Sequence, residues 1–222
     1  MVGSGSSMEI PRILWQCGPT DIESLPDHVM YYIHSWRKMN PKWSFEYHSE
    51  SDCLDYITKT RGSEAGRHYE RIQKPEIRAD MWRYCVIADN GGFYADLDAI
   101  CRQPIESWAD MSKEFIVAQQ YHPGFGNMWE QWFFGSKERN SMMLEIVEVV
   151  LDLIYQSNYP DVSETLFPFV RIVDSNSNSP RMQKVIPWTD MGITHIAAHG
   201  KFYDREYWMK TDFVSCIPAV TP

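Results

Sequence analysis

The sequence is short of cysteine, of long apolar runs and of basic residues. Its five cysteines are odd in number and lack the paired spacing of zinc sites, which favours a reducing compartment. No apolar run approaches the roughly 20 residues that a membrane-spanning helix needs. The net charge of −9 disfavours nucleic acid as a partner, because phosphate backbones attract basic surfaces. We therefore expect a soluble, cytoplasmic protein without a transmembrane segment in this chain.

The length of 222 residues suits one α/β domain with a substantial core. Residues 1–7, with the sequence MVGSGSS, look like the remnant of an expression tag and are expected to be disordered, whereas residues 8–222 are expected to form a single domain. Patterns typical of strands at 10–15 and 43–47 alternate with helical patterns at 26–39 and after residue 51. This order predicts a mostly parallel central sheet flanked by helices.

Two aspartates follow an apolar, aromatic run in residues 91–98, which read GGFYADLD. If this run is a strand, Asp96 and Asp98 share one face with Tyr94, and Leu97 points to the other face. Two carboxylates this close repel each other unless a cation lies between them, and oxygen ligands suit Mn²⁺ or Mg²⁺. An isolated Asp-x-Asp is more often a solvated acidic turn, so the preceding segment has to decide between the two interpretations.

The preceding segment predicts a buried helix over residues 75–90. It has a proline at its start and Asn-Gly-Gly at its end, and its apolar residues cover almost the whole circumference. Asp80 and Arg83 nevertheless lie three residues apart within it. Charges in a buried helix are rare unless they are paired or serve a site. They form either an internal ion pair or a polar patch beside Asp96 and Asp98 that faces the same ligand.

The combined pattern RADxxRY from residue 78, followed by GGxYxDxD over 91–98, resembles the signature of the "DXD" sugar-binding glycosyltransferases. This family includes the yeast initiating mannosyltransferase-like enzymes and, more distantly, the glucosylating domain of large clostridial toxins. The resemblance implies a GT-A type, Rossmann-like domain. It also implies transfer of a hexose from a UDP-sugar or GDP-sugar to a glycan or other hydroxyl acceptor, with retention of configuration and Mn²⁺ or Mg²⁺ as the cofactor. Many eukaryotic members of this family carry a membrane anchor, and this sequence shows none. We therefore expect either a soluble enzyme or an excised catalytic domain.

The resemblance implies a metal site at the two aspartates. Asp98 would bind the ion directly, and Asp96 would reach it through water or hold the ribose. Many transferases of this architecture complete the metal shell with a late His or Asp, and His199 is the expected residue here, with His195 as the reserve. The family's usual late His-His followed by Gly-Ser-Trp is absent from this sequence, which leaves the third ligand open.

The resemblance also implies contacts with the donor. The carboxylate of Asp80 would accept hydroxyl protons of the sugar, and the guanidinium of Arg83 would bind sugar or phosphate oxygens. With Asp96 and Asp98 they form the expected catalytic set. Trp15, at the end of a segment that resembles the family's first strand, is expected to stack on the nucleotide base. The expected donor-binding residues are Trp15, Gln16, Arg78, Asp80, Arg83, Tyr94, Asp96 and Asn127.

Two rival interpretations start from the same residues. Phosphatases of the haloacid-dehalogenase type also carry Asp-x-Asp after an apolar strand, but usually near the N-terminus and followed by Gly-Thr or Thr/Val; here the motif is followed by Ala99 and Ile100. A domain that binds sugars or nucleotides without turnover is the second rival. For the transferase itself, inversion of configuration by an unidentified Asp or Glu is the alternative to retention.

Overall fold

Strands and helices alternate at the start of the chain, as the sequence predicts. The computed structural model describes residues 9–122, 126–186 and 193–195. Its strands are β1 (Ile13–Cys17), β2 (Ser44–His48), β3 (Gly92–Ala95), β4 (Ala99–Cys101), β5 (Phe115–His122), β6 (Gly126–Ser136), β7 (Met182–Val185) and β8 (Ile193–His195). Its α-helices are α1 (Asp27–Met39), α2 (Glu50–Arg61), α3 (Ser63–Arg71), α4 (Pro75–Asn90), α5 (Ser141–Gln156) and α6 (Val162–Ser175). The expected tag remnant at 1–7 lies outside the described residues.

The central sheet orders its six described strands β2-β1-β3-β6-β5-β7. Strands β2, β1 and β3 pair in parallel, as do β5 and β7, and β6 runs antiparallel between β3 and β5. A separate antiparallel pair joins β4 to β8. The predicted α/β fold with a mostly parallel sheet flanked by helices is therefore confirmed. None of the helices within the described ranges has the length and apolar character to cross a bilayer.

Alternating side chains of the central strands supply the two faces of the sheet. Phe93 and Ala95 of β3 belong to one apolar cluster with Trp36 of α1, while Tyr94 of the same strand packs into another that includes α4, α5 and α6. Phe133 and Phe134 of β6 divide in the same way. This period of two follows from the pleat, and it puts apolar surface on both faces of β3.

Helix α4 is the buried helix that the sequence predicts, with the predicted bounds. Pro75 occupies its first turn, Gly91 follows its last residue, and ten of its sixteen residues are buried. Its burial follows from its position against the sheet, with α5 and α6 packed on it. Asp80 and Arg83 are buried with it.

The structure differs from the prediction in three segments. The strand that contains Tyr94 ends at Ala95, so the two aspartates lie beyond the strand in a turn. The polar run 119–127, for which the sequence predicts no strand, belongs to β5 and β6 on either side of residues 123–125, because a hairpin needs only backbone pairing and tolerates polar side chains on an exposed face. Helix α6 has no counterpart in the sequence-based prediction.

Gly91 generates a stability prediction, because a side chain there would meet backbone atoms. Its φ is +64°, and an added Cβ would lie 2.6 Å from the Glu138 nitrogen and 2.9 Å from the Ser136 oxygen. Gly62 has a φ of +91° with nothing within 4 Å of an added Cβ, and is the matched control. We expect Gly62→Ala to lower the free energy of unfolding by about 1–3 kcal/mol through backbone strain alone. Gly91→Ala should lower the free energy of unfolding by roughly 1–3 kcal/mol more than Gly62→Ala, because of the clash with the backbone. Urea unfolding of both variants measures the difference, and equal losses would contradict the close contacts at Gly91.

Candidate active site

A pocket of about 350 Å³ opens at the C-terminal ends of β1 and β3. The loop after β1, the first turns of α2 and α4, Tyr69 of α3, and the segment from Asp96 to Asp98 surround it. Open α/β sheets bind ligands at this edge, because the strand ends leave a crevice there. The volume lies within the range of small-molecule sites.

The two aspartates project from a turn that is anchored by the leucine between them. The N–H of Asp96 donates to the Trp132 oxygen at 2.9 Å, and the N–H of Ala99 donates to the Asp96 oxygen at 3.2 Å. Leu97 is buried against Leu25, Val29 and Ile33. Both flanking aspartates are partly exposed and line the pocket. The turn therefore presents two carboxylates to the same cavity, although they do not lie on a strand.

Arg83 lies at the centre of the polar contacts behind the pocket. Its Nη2 is 3.1 Å from Asp96 Oδ1 and 3.2 Å from Asp80 Oδ1. Its Nη1 donates to the Gln131 oxygen at 2.9 Å, and its Nε donates to the Ala79 oxygen at 3.4 Å. Burial opposes the charge, but the carboxylates of Asp96 and Asp80 outweigh it and raise the pKa of this guanidinium. The structure thus brings Asp80, Arg83 and Asp96 together.

Asp80 faces away from the pocket, on the inner side of Arg83. It is 2% exposed, and its Oδ2 accepts from Thr165 Oγ1 at 2.7 Å and from Gln131 Nε2 at 3.1 Å. Burial raises the pKa of Asp80, whereas the charge of Arg83 and the two hydrogen bonds act in the opposite direction. Asp80 is not among the residues that line the cavity, so it reaches the site through Arg83.

Tyr94 holds Arg83 and Asp96 at the same time. Its hydroxyl donates to Asp96 Oδ1 at 2.6 Å, and the Arg83 guanidinium carbon lies 4.3 Å from the centre of its ring. Burial raises the pKa of Tyr94, so the hydroxyl keeps its proton and remains a donor. The same side chain lines the pocket and supports the polar group beneath it.

Of the other residues expected to contact the donor, one lines the pocket and three do not. Arg78 lines the pocket, where it pairs with the Glu50 carboxylate and donates to the Ile72 oxygen at 2.6 Å. Three residues lie outside the lining of this pocket as the structure describes it: Trp15, Gln16 and Asn127. The Trp15 indole donates to the Gly91 oxygen at 2.9 Å, the Gln16 amide donates to the Ala95 oxygen at 3.4 Å, and Asn127 is exposed on β6.

The two late histidines differ, because the structure describes the backbone of only one of them. His199 lies outside the described residues. His195 belongs to β8, which pairs with β4 immediately after the Asp-Leu-Asp turn, with Ala99 opposite His195. This pairing brings the backbone of the late segment near the turn.

Several residues of the pocket escaped the sequence-based prediction. Its lining also includes Cys17, Gly18, Pro19, Glu50, Cys53 and Tyr69. The Gly-Pro pair that breaks β1 is a signal for the loop at the strand end, because parallel strands place such loops at the ligand edge. Nothing in the local sequence marks Gln131 and Thr165, which contact Asp80 from β6 and α6.

The charges of the pocket fit a bound cation. Its lining carries four carboxylates, of Glu50, Glu76, Asp96 and Asp98, against two guanidinium groups. Within the described ranges, no three His, Cys, Asp or Glu side chains cluster as a complete metal site. Mg²⁺ usually takes only one or two carboxylates, with waters and phosphate oxygens as its other ligands. The aspartates of the turn therefore fit Mg²⁺ or Mn²⁺ in the presence of a phosphate ligand.

Residues 26–115 match the family described as "Glycosyltransferase sugar-binding region containing DXD motif". The matched segment contains Asp80, Arg83, Asp96 and Asp98. The predicted resemblance to the DXD glycosyltransferases is confirmed. The match to the DXD glycosyltransferases favours this family over the phosphatases that share Asp-x-Asp.

Two yeast mannosyltransferases are among the proteins to which the chain is similar. The chain is 22% identical to the initiation-specific alpha-1,6-mannosyltransferase of Candida albicans over 66% of this chain, and 22% identical to that of Schizosaccharomyces pombe over 83%. It spans 44% and 47% of the lengths of these two relatives. Among solved structures, the PaToxG glycosyltransferase has the same fold, with a TM-score of 0.54 at 14% identity, covering 78% of this chain and 73% of that one. The structural likeness to the PaToxG glycosyltransferase confirms the predicted GT-A fold.

The buried ion pair generates a second stability prediction. Asp80→Asn removes the carboxylate behind Arg83 and leaves part of a buried charge uncompensated, so we expect the free energy of unfolding to fall by about 3 kcal/mol. Asp89 is the control, because its pair with Arg61, at 2.7 Å, leaves the Asp89 side chain 27% exposed. Asp89→Asn should cost about 1 kcal/mol or less in urea unfolding at pH 7. Losses of the same size in both variants would show that burial does not decide the strength of the Asp80 pair.

Proposed function

We propose that this chain transfers a hexose from a UDP-sugar or GDP-sugar to a hydroxyl group of a glycan or similar acceptor, with Mn²⁺ or Mg²⁺ and with retention of configuration. One observation carries the proposal: the Asp96–Asp98 turn and the guanidinium of Arg83 meet in one pocket at the ligand-binding edge of the sheet. The family match over the same residues supports it, and the mannosyltransferase relatives favour a hexose as the transferred group.

Asp98 and Asp96 are the residues that would hold the divalent ion. When bound, the ion neutralises the negative charge that develops on the diphosphate leaving group. In the proposal Asp98 binds the ion directly, and Asp96, whose Oδ1 accepts from Tyr94 and Arg83, reaches it through water or holds the ribose. An excess of carboxylates over guanidinium groups in the lining would repel a bare diphosphate. Donor binding should therefore depend on the ion.

Arg83 would bind an oxygen of the donor sugar or phosphate. An arginine side chain has five N–H donors, and in the described part of the protein four acceptors meet them: Ala79, Gln131, Asp80 and Asp96. One Nη1 hydrogen thus remains for a ligand in the pocket that Arg83 lines. Asp80 fixes the guanidinium from the inner side. We propose that the carboxylate of Asp80 contacts the sugar only once the donor has entered the pocket.

The nucleoside would lie against Cys17, Cys53 and Tyr69, which line the same pocket as the ion pair of Arg78 and Glu50. Trp15 and Gln16 would then contribute through β1, since Cys17 of the same strand lines the pocket. Asn127 would serve on the acceptor side, where the exposed start of β6 lies.

Retention needs no additional base from this chain. In a front-face reaction the departing phosphate oxygen takes the proton of the acceptor hydroxyl, and the same acceptor oxygen forms the new bond to the sugar carbon. Arg83 would stabilise the negative charge that remains on the leaving group. Inversion would instead require an Asp or Glu placed on the opposite side of the sugar ring.

The proposal predicts that a donor stabilises the fold only when a divalent ion is present. With a UDP-sugar or GDP-sugar at about 100 times its Kd and Mn²⁺, we expect the melting temperature to rise by roughly 5–10 °C. Asp98→Ala should abolish that rise while melting like the wild type without ligand, because it removes only a partly exposed carboxylate. Differential scanning fluorimetry over a panel of nucleotide sugars, with Mn²⁺ or with EDTA, measures both effects.

Asp55→Ala provides the matched control, because Asp55 is exposed on α2 and outside the pocket lining. This variant should keep the full ion-dependent rise. A rise that persists in Asp98→Ala would contradict the proposed metal site. Binding without any metal-dependent turnover of the sugar nucleotide would instead favour the non-catalytic alternative.

A further inference from the structure

We infer that Thr165 of α6 is a positioning residue for Arg83, acting through Asp80. The inference rests on the proposed function, because it concerns how the donor-binding guanidinium is held in place. Thr165 lies outside the segment that matches the family, and its side chain does not reach the pocket. Its effect on the site therefore has to pass through the residues that it contacts.

The hydroxyl of Thr165 fixes one specific oxygen of Asp80. Thr165 is fully buried, and its Oγ1 donates to Asp80 Oδ2 at 2.7 Å. Gln131 Nε2 donates to the same oxygen at 3.1 Å. The other oxygen, Oδ1, is thereby left to face Arg83 Nη2 at 3.2 Å. The two donors set the rotation of the carboxylate about its Cβ–Cγ bond, and with it the direction in which Arg83 is pulled.

The second donor to this oxygen depends on the same group of residues. The hydroxyl of Tyr84 donates to Gln131 Oε1, which orients the amide so that its NH₂ faces Asp80. The backbone oxygen of Gln131 accepts from Arg83, so β6 holds the guanidinium directly as well as through Asp80. Helix α6 contributes the Thr165 hydroxyl, and the backbone oxygen of Thr165 accepts from Tyr84 at 3.5 Å.

Loss of the Thr165 hydroxyl should loosen Arg83 without emptying the pocket. Asp80 is 2% exposed, so water does not readily replace the missing donor. The carboxylate would then rotate between Gln131 and Arg83, and the Arg83 guanidinium, which lines the pocket, would lose its fixed direction. Asp98 and the nucleoside part of the pocket would keep their positions. The expected effect falls on turnover more than on donor affinity.

The variant Thr165→Val removes the hydroxyl at nearly constant shape, and Thr165→Ser restores it. For metal-dependent turnover of the donor, we expect Thr165→Val to lower kcat by roughly 10- to 100-fold with KM nearly unchanged, because small misplacements of a binding group reduce turnover to this extent. Thr165→Ser should remain close to wild type. Thr60→Val removes an exposed hydroxyl on α2 and controls for the substitution itself. Wild-type kcat in Thr165→Val would overturn the inference.

A measurement that needs no turnover separates this inference from the proposed function. Hydrogen exchange of the Arg83 Nε–H, assigned in NMR spectra with Arg83→Lys, reports how firmly the guanidinium is held. We expect exchange in Thr165→Val to be faster by about tenfold or more, since a hydrogen bond to a buried charge is lost, and Thr165→Ser to restore slow exchange. Unchanged exchange overturns the inference even if turnover falls.

The two hypotheses can therefore fail independently. If the wild type shows no metal-dependent binding of any nucleotide sugar, the proposed function fails, while Arg83 exchange still decides the role of Thr165. If Thr165→Val does not fold, Thr165→Cys keeps the volume with a weak S–H donor, and it should show faster Arg83 exchange than Thr165→Ser. Exchange as slow in Thr165→Cys as in Thr165→Ser would contradict the role of the hydroxyl.

Discussion

The structure depends on one buried guanidinium that needs negative charge on both sides. Arg83 is 4% exposed, and its Nη2 is shared by the carboxylates of Asp80 and Asp96. Desolvation of an arginine costs several kcal/mol, which only close carboxylates and additional acceptors can offset. The need for those partners fixes α4 against the end of β3 and against β6. The same need holds the Asp-Leu-Asp turn at the mouth of the pocket.

The requirement for charge compensation also links folding to function. Asp80 offsets the charge from within, where Thr165 and Gln131 complete its hydrogen bonds. Asp96 offsets it from the solvent side, where its side chain is 27% exposed. With Asp98 added, carboxylates outnumber guanidinium groups in the lining of the pocket. Under the proposed function, a divalent ion together with an anionic ligand would balance this excess.

Local sequence patterns predicted the elements that carry the motif, but not all of their surroundings. Helix α4 has its predicted bounds because the fixed φ of Pro75 suits its first turn and Gly91 adopts the backbone conformation that ends it. The proximity of Arg83 to Asp96 follows from the short connection between that helix and β3. The polar side chains of residues 119–127 predict no strand, yet backbone pairing makes strands of those residues that the structure describes. The family resemblance implies that Trp15 stacks on the base, and this stays a prediction. In the structure β1 continues to Cys17, and the indole of Trp15 donates to the Gly91 oxygen.

The sequence by itself determined the α/β class, the buried helix and the pair of aspartates beyond a glycine turn. Those features depend on residue periodicity, on proline and glycine geometry, and on the repulsion between neighbouring carboxylates, all of which act over a few positions. Only the tertiary structure decided that Asp80 faces inward, that Thr165 and Gln131 hold it, and that the loop after β1 lines the pocket. These contacts join residues 51 and 85 positions apart in the chain, so they arise from the packing of α6 and β6 on α4.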